Sequence, residues 1–185
     1  MKLSVLAAIL VVVLSACASG PTVTDEDGDT AVTWNVDCSE LETTAGTDFT
    51  DVSLPCLVGD GSYAIGPIGD RPMVVSLWAS WCGPCVAEAP EVERFHQLLG
   101  DQVAVIGVNT QDVRERALYF ADDFDWTFPS LFDERGEVMR GQGLMGLPAI
   151  IFIDVDGTTK ATLSTGDVTT EVLVAAAEEH FGVTT

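Results

Sequence analysis

Basic side chains are scarce in this chain. Its 185 residues include 8 lysines and arginines against 29 aspartates and glutamates, which gives a formal net charge of −21. A nucleic-acid-binding surface needs clustered positive charge to meet the phosphate backbone. Because the sequence holds no such cluster, we expect no nucleic-acid partner, and we expect anionic membrane surfaces to repel the chain.

The sequence also lacks an apolar run long enough to cross a bilayer, which takes about 20 residues. The run from Leu3 to Ala16 is shorter and follows the positive charge of Lys2. A positive start followed by a short apolar segment is typical of an export signal. We therefore predict a signal peptide over residues 1–16.

The end of this run resembles the lipobox of bacterial lipoproteins. It reads Leu-Ser-Ala-Cys and finishes at Cys17. In lipoproteins the signal is cut before such a cysteine, which is then acylated; an ordinary signal peptide with a stray cysteine is the alternative. Small, polar and acidic residues follow, so we predict a flexible acidic tether over residues 17–30.

The remainder, residues 31–185, alternates strand and helix patterns and predicts one α/β domain with a mixed β-sheet flanked by helices. On the first long helix, the predicted apolar face carries Val86, Val92, Phe95 and Leu99. The predicted elements are a short strand near 31–36, short β segments within 54–68, strands at 73–78, 103–108, 149–154 and 159–164, and helices at 84–99, 113–124 and 169–181.

The chemistry-bearing motif is Trp-Cys-Gly-Pro-Cys, with its cysteines at Cys82 and Cys85, between a buried strand and a helix. Two cysteines at this spacing can close and reopen a small disulfide ring. The amino end of the helix carries unpaired N–H groups and a partial positive charge, which favour a thiolate. We predict that Cys82 is the nucleophile and that the less exposed Cys85 resolves the mixed disulfide.

Two other interpretations of this cysteine pair remain. A zinc site would need a second pair of cysteine or histidine ligands. The remaining cysteines and histidines show no paired spacing, so no metal is expected. A purely structural disulfide is the other alternative, although a bond between residues three apart at a helix start suits redox cycling better.

The segment from Trp78 to Cys85, followed by Glu88 and Pro90, resembles the thioredoxin superfamily. Within it, the resemblance is to the TlpA/ResA-like membrane-attached disulfide reductases, over roughly residues 54 to 182. It implies a thioredoxin-like fold with an N-terminal β extension. No cofactor is implied, since the cysteine pair itself carries the electrons.

The resemblance also assigns the remaining site residues. Pro148 is expected to be a cis proline that packs against the active disulfide; a proline at a strand start is the alternative. Glu88 is expected to relay the proton of Cys85, although by composition alone it would be a surface helix residue. Ser76 departs from the buried acid of thioredoxins, which favours Glu88 for proton transfer. Substrate contacts are expected from Trp81, Gly83, Pro84, Leu147 and Pro148.

Two further cysteines, Cys38 and Cys56, remain as an even pair. Outside the cytoplasm such a pair is expected to be oxidised. A disulfide over this loop would stabilise the fold by about 3 kcal/mol; a second redox couple is the alternative.

The implied activity is that of a membrane-tethered extracytoplasmic disulfide reductase, because the Gly-Pro dipeptide matches thioredoxin. The implied partners are extracytoplasmic proteins with disulfides, such as apocytochrome c during cytochrome c maturation, and a membrane electron donor of the CcdA type. A Dsb-like oxidase or isomerase, a peroxidase and a noncatalytic binding lipoprotein are the competing classes.

Overall fold

A computed structural model describes residues 32, 34–38, 41, 52–164 and 167–185. The predicted signal peptide, Cys17 and the acidic tether lie outside the described residues. No helix in the described part of the chain has both the length and the apolar character needed to cross a membrane.

A five-stranded mixed sheet forms the centre of the fold, in the order β5-β4-β3-β6-β7. Strands β3, β4 and β5 run parallel, whereas β6 and β7 are antiparallel to their neighbours. A separate antiparallel pair, β1 and β2, precedes the sheet. The elements are β1 Ser53–Pro55, β2 Ser62–Ala64, β3 Met73–Trp78, α1 Gly83–Leu99, β4 Ala104–Thr110, α2 Arg114–Asp123, β5 Ser130–Asp133, α3 Glu137–Gly141, β6 Ala149–Ile153, β7 Thr159–Leu163 and α4 Thr170–Phe181.

Both faces of β3 are buried, as its continuous apolar run predicts. Successive side chains of a strand point to opposite faces. Val74 and Trp78 accordingly join an apolar cluster with residues of α1, α2 and α4. Val75 and Leu77 join a second cluster with residues of the β1–β2 hairpin and α3. These observations confirm the predicted thioredoxin-like α/β fold and its N-terminal β extension.

The amino-terminal segment corrects one prediction. The described residues between 32 and 36 form no strand. The backbone N–H of Trp34 donates instead to a carboxylate oxygen of Asp122 at 2.8 Å, and its indole N–H donates to the carbonyl of Trp126 at 2.7 Å. These two hydrogen bonds and the burial of the Trp34 side chain hold the segment on the domain, and no pairing with a strand is involved among its described residues.

Two elements escaped prediction, β5 and α3. Strand β5 is four residues long and α3 five, which is too short for an apolar period to stand out. Strand β5 nevertheless lies at one edge of the sheet, beside β4. There the backbone N–H of Leu57 donates to the carbonyl of Ser130 at 2.8 Å, so the hairpin region continues alongside this edge.

Candidate active site

Cys82 and Cys85 are joined in a disulfide directly at the start of α1, with their Cα atoms 5.2 Å apart. Cys82 is the residue that caps the helix, and its sulfur accepts a hydrogen bond from the backbone N–H of Cys85 at 3.2 Å. Gly83 begins the helix and Pro84 lies in its first turn, where a proline without an N–H costs no hydrogen bond. The N–H of Cys85 and the helix dipole favour negative charge on Cys82 once the disulfide opens.

Exposure does not separate the two sulfurs in this oxidised state. Cys82 is 4% exposed and Cys85 is 3% exposed. Cys85 was expected to be less exposed than Cys82, but the two cysteines are almost equally buried. They differ instead in their position on the helix and in their hydrogen bonds. Their neighbour Trp81 is 57% exposed and presents a large apolar surface beside the disulfide.

The loop before the disulfide is held by the end of β4. The indole N–H of Trp81 donates to the carbonyl of Gln111 at 2.9 Å. Asp112 accepts from the backbone N–H of Ser80 at 2.6 Å and from its hydroxyl at 2.8 Å. Burial opposes ionisation of Asp112, but hydrogen bonds from Asn109 and Ser80 outweigh it and hold the pKa of Asp112 below its ordinary value.

Sequence analysis missed this support for Trp81. The signal that could have found it is a polar cluster at the carboxyl end of a buried strand, since Asn109 and Asp112 follow the apolar run of β4. Because β3 and β4 are parallel, their carboxyl ends lie on the same side of the sheet, and β3 leads from that side into the disulfide loop.

Pro148 follows a cis peptide bond from Leu147, as the resemblance implies. Strand β6 begins one residue later at Ala149, which pairs with Leu77 of β3. This register places Pro148 beside the end of β3, where the chain leaves the sheet toward Cys82. Leu147 is half-buried and packs against both apolar clusters.

Glu88 lies on α1 three residues after Cys85, so the two side chains share one side of the helix. It is only 3% exposed, and its carboxylate oxygens accept no hydrogen bond of ordinary geometry from the residues that the structure describes. Burial raises the pKa of Glu88 to about 7, and the backbone of Val168 offsets part of that rise. Glu88 is thus a buried acid that can exchange a proton near neutral pH.

A second buried acid on the same helix, Glu93, is satisfied by hydrogen bonds. It accepts from the backbone N–H of Thr127 at 2.9 Å, from the hydroxyl of Thr127 at 2.7 Å and from the side chain of Gln97 at 2.9 Å. Glu93 is not one of the residues of the predicted apolar face of this helix, yet it is buried.

Cys38 and Cys56 form a second disulfide, with Cα atoms 5.7 Å apart and both side chains fully buried. Arg114 donates to the carbonyl of Cys56 at 2.8 Å. Asp37 joins these cysteines in the one group of described residues whose ligand atoms lie close enough together for a metal ion. Both sulfurs of that group are joined in the disulfide, so neither is available as a thiolate ligand.

A disulfide between Cys82 and Cys85 at a helix start, beside a cis proline at the end of a mixed sheet, defines a site of the thioredoxin-like thiol-disulfide oxidoreductase class. Comparison of the sequence with family models agrees with this class. The chain belongs to the Redoxin family, whose model matches residues 44–178.

Curated relatives carry related names. The chain is 31% identical over 115 residues to the thioredoxin-like protein YneN of Bacillus subtilis, covering 60% of this chain and 66% of that one. It is 31% identical over 102 residues to the thiol-disulfide oxidoreductase ResA of Geobacillus thermodenitrificans, covering 55% and 58%. The matches thus span less than two thirds of the length of these relatives.

Among solved structures, a DsbF homologue from Corynebacterium diphtheriae superposes with a TM-score of 0.62. The match covers 85% of this chain and 98% of that one, at 23% identity. At this identity the likeness shows the fold alone.

Proposed function

We propose that the protein is a membrane-tethered, extracytoplasmic thiol-disulfide oxidoreductase that works as a disulfide reductase. The observation that carries the proposal is the Cys82–Cys85 disulfide at the start of α1, with the buried acid Glu88, whose pKa burial raises to about 7, one turn further on. Cysteine pairs with this placement exchange disulfides, whereas a disulfide serving only stability needs no proton acceptor beside it.

The proposed reaction begins with the reduced pair. The Cys82 thiolate attacks a substrate disulfide, which forms a mixed disulfide and releases one substrate thiolate that takes up a proton. Cys85 then loses its proton to Glu88 and attacks the sulfur of Cys82. The Cys82–Cys85 bond forms, the second substrate thiol leaves, and two electrons have passed to the substrate.

Glu88 suits the second step because its pKa of about 7 lies near neutral pH. A general base works best when its pKa is close to the working pH. The proposed contact surface for the substrate segment has two parts. Trp81, Gly83 and Pro84 flank the reactive cysteines along the chain, and Leu147 and Pro148 precede β6 at the end of the sheet from which β3 leads to Cys82. Substrate proteins of this kind carry exposed disulfides, and apocytochrome c is one candidate.

The direction of electron flow is proposed from the dipeptide between the cysteines. Gly83-Pro84 matches thioredoxin, whose potential is about −270 mV, whereas the oxidant DsbA lies near −120 mV. A reductase must be reduced again after each cycle, and a dithiol membrane donor of the CcdA type would supply the two electrons.

The extracytoplasmic location is supported by the buried Cys38–Cys56 disulfide, since such bonds persist in oxidising compartments. We assign that bond a structural role because both sulfurs are shielded from solvent. The membrane tether is proposed from Cys17 and the residues up to 30. Mass spectrometry should find a lipid on Cys17 in membranes from expressing cells and none on the Cys17→Ser variant.

The redox potential of the Cys82–Cys85 couple tests the direction of the reaction. Equilibration with glutathione buffers, followed by thiol alkylation, should give a value close to that of thioredoxin, near −270 mV. A value above about −150 mV would instead assign the protein to the Dsb-like oxidases.

Substrate trapping tests the roles of the two cysteines. Cys85→Ser should accumulate mixed disulfides through Cys82, because the resolving thiol is missing. Cys82→Ser is the matched control and should trap nothing while losing insulin reduction. Equal insulin reduction by Cys82→Ser and the wild type would remove Cys82 from the mechanism, and if both equal the rate without protein, the chain is a noncatalytic binding protein.

The two disulfides can be distinguished by mapping before and after mild reduction. Cys82–Cys85 should open first, and Cys38–Cys56 should resist. If both bonds open at the same potential, Cys38 and Cys56 form a second redox couple rather than a structural bridge.

A further inference from the structure

Glu88 is enclosed by two parts of the chain, its own helix α1 and the residues that lead into α4. Val168, just before α4, is buried in the same apolar cluster as Cys82 and Cys85. Its backbone interacts with the Glu88 carboxyl group. Access of water to Glu88 therefore depends on how closely the start of α4 is held against α1.

A hydrogen-bonded contact joins these two parts one turn beyond Glu88. The carboxylate of Glu91 accepts from the backbone N–H of Thr170 at 2.8 Å and from its hydroxyl at 2.5 Å. The same hydroxyl lies 3.3 Å from the backbone carbonyl of Glu91. Thr170 is buried and the Glu91 side chain is 23% exposed, so these bonds are partly shielded from competing water.

The contact is made at a helix start, where the first backbone N–H groups have no partner within the helix. Thr169 caps α4 and accepts from the N–H of Val172 at 3.4 Å. The N–H of Thr170 is left to Glu91, across the gap between the helices. Arg94 lies 3.1 Å from the Glu91 carboxylate and steadies it from the exposed side.

We propose that Glu91 is a positioning residue for Glu88: its carboxylate fastens the start of α4 to α1, which keeps Val168 over Glu88 and water away from it. The link from Glu88 to Cys85 rests on the proposed function. Through that link, the Glu91–Thr170 contact would set the pH at which Cys85 resolves the mixed disulfide.

The effect of nearby charges on the pKa of Glu88 must be distinguished from the effect of excluding water. Removal of a nearby negative charge would itself lower the pKa of Glu88. Besides Glu88, the ionisable side chains of α1 are Cys85 when reduced, Glu91, Glu93, Arg94 and His96, and those nearest the start of α4 are Asp167 and Glu171. Control variants must therefore remove a charge without breaking the contact.

The direct test is the pKa of Glu88 in the oxidised full chain, followed by carbon-13 NMR of the glutamate carboxyl groups. Glu88→Gln identifies the resonance by its loss. Opening the contact with Glu91→Ala should lower the Glu88 midpoint by about one unit, because water reaches the carboxylate. Thr170→Val removes the hydroxyl bonds from the α4 side but keeps the backbone N–H bond to Glu91, so it should lower the midpoint in the same direction by a smaller amount.

Two controls remove charge alone. Glu91→Gln keeps an oxygen that can accept from Thr170, and Glu171→Ala removes an exposed acid from the first turn of α4. Each should shift the Glu88 midpoint by less than half of the change in Glu91→Ala. If either control shifts it as far as Glu91→Ala does, or if Glu91→Ala folds and leaves the midpoint unchanged, the proposal is wrong.

The pH profile of insulin reduction separates this inference from the proposed function. Glu91→Ala should move the profile in the same direction as the NMR midpoint, and it should have no such effect in a Glu88→Gln background. A shifted midpoint with an unshifted profile would support the positioning role of Glu91 and contradict the proton relay from Cys85 to Glu88.

Discussion

Helix α1 carries two buried glutamates, five residues apart, with opposite surroundings. Glu88 is 3% exposed and Glu93 is 6% exposed. Glu93 accepts three hydrogen bonds from Thr127 and Gln97. Glu88 accepts none of ordinary geometry from the described part of the chain.

The difference shows that burial alone does not identify a functional acid. A buried carboxylate with several donors has its hydrogen-bonding capacity satisfied and ties elements of the fold together. A buried carboxyl group with few donors keeps its proton to higher pH, which costs stability when it ionises but makes it useful for proton transfer. Glu93 is therefore structural, whereas Glu88 is the proposed proton acceptor.

The largest effect that should separate the two acids is the pH dependence of stability at Glu88. Its pKa rises from 4.5 to about 7 on folding, which corresponds to about 3 kcal/mol. Because the folded state binds this proton more tightly than the unfolded chain does, the stability contributed by protonated Glu88 is fully present below pH 4.5. It is lost as the pH rises through about 7. Urea unfolding should show wild-type stability falling relative to Glu88→Gln by that amount over this range.

If the free energy of unfolding of the wild type and of Glu88→Gln changes in parallel with pH, Glu88 titrates as it does in the unfolded chain, and the prediction is wrong.

The same Glu88→Gln variant should slow insulin reduction by about 100-fold, because the proton acceptor for Cys85 is lost. The substitution therefore raises stability at high pH and lowers activity.

Loss of the satisfied acid should have the next largest effect. Glu93→Ala removes three hydrogen bonds and should lower the free energy of unfolding by about 2 kcal/mol, since Thr127 is partly open to compensating water. The readout is the urea midpoint at an unchanged slope. The redox potential of Cys82–Cys85 should stay at the wild-type value, and a shifted potential would assign Glu93 a part in the site.

The smallest change is expected from Gln97→Ala. This variant removes one of the three donors to Glu93, and Gln97 is exposed. We expect a loss of about 0.5 kcal/mol of stability in the same urea experiment. A loss as large as that of Glu93→Ala would mean that the Glu93 carboxylate depends on Gln97 rather than on Thr127.

Much of this molecule was accessible from local sequence patterns. The strand patterns predicted β3, β4, β6 and β7. The Cys82–Cys85 disulfide and the cis bond before Pro148 agree with what the motif and its resemblance implied, and the Cys38–Cys56 bond agrees with the expected pairing of the two remaining cysteines. These features depend on neighbours in sequence or on a motif whose spacing is specific.

Predictions failed where tertiary contacts decide the outcome. Val86 was expected on the buried face of α1 and is 46% exposed. The buried stripe follows Cys85, Ala89 and Val92, and a residue one position away points about 100° to the side of it. Glu93 is buried because Thr127, distant in sequence, supplies its donors. No local pattern contains that contact.

The support of the active loop was missed for a similar reason. Asp112 receives its donors from Ser80, which lies 32 residues away in the sequence. The Glu91–Thr170 contact spans 79 residues. Both contacts bring together elements that are adjacent only after the sheet and its helices have formed.

The edges of the central sheet bear on how this domain behaves when many copies are crowded together. Open strand edges offer unpaired backbone groups to which another chain can add. At the β5 edge, the N–H of Leu57 already donates to the carbonyl of Ser130. At the opposite edge, β7 carries Lys160, whose ammonium group lies 2.9 Å from Asp154. A covered edge and a charged edge both oppose aggregation, which would allow the protein to accumulate at high local density as separate, working copies.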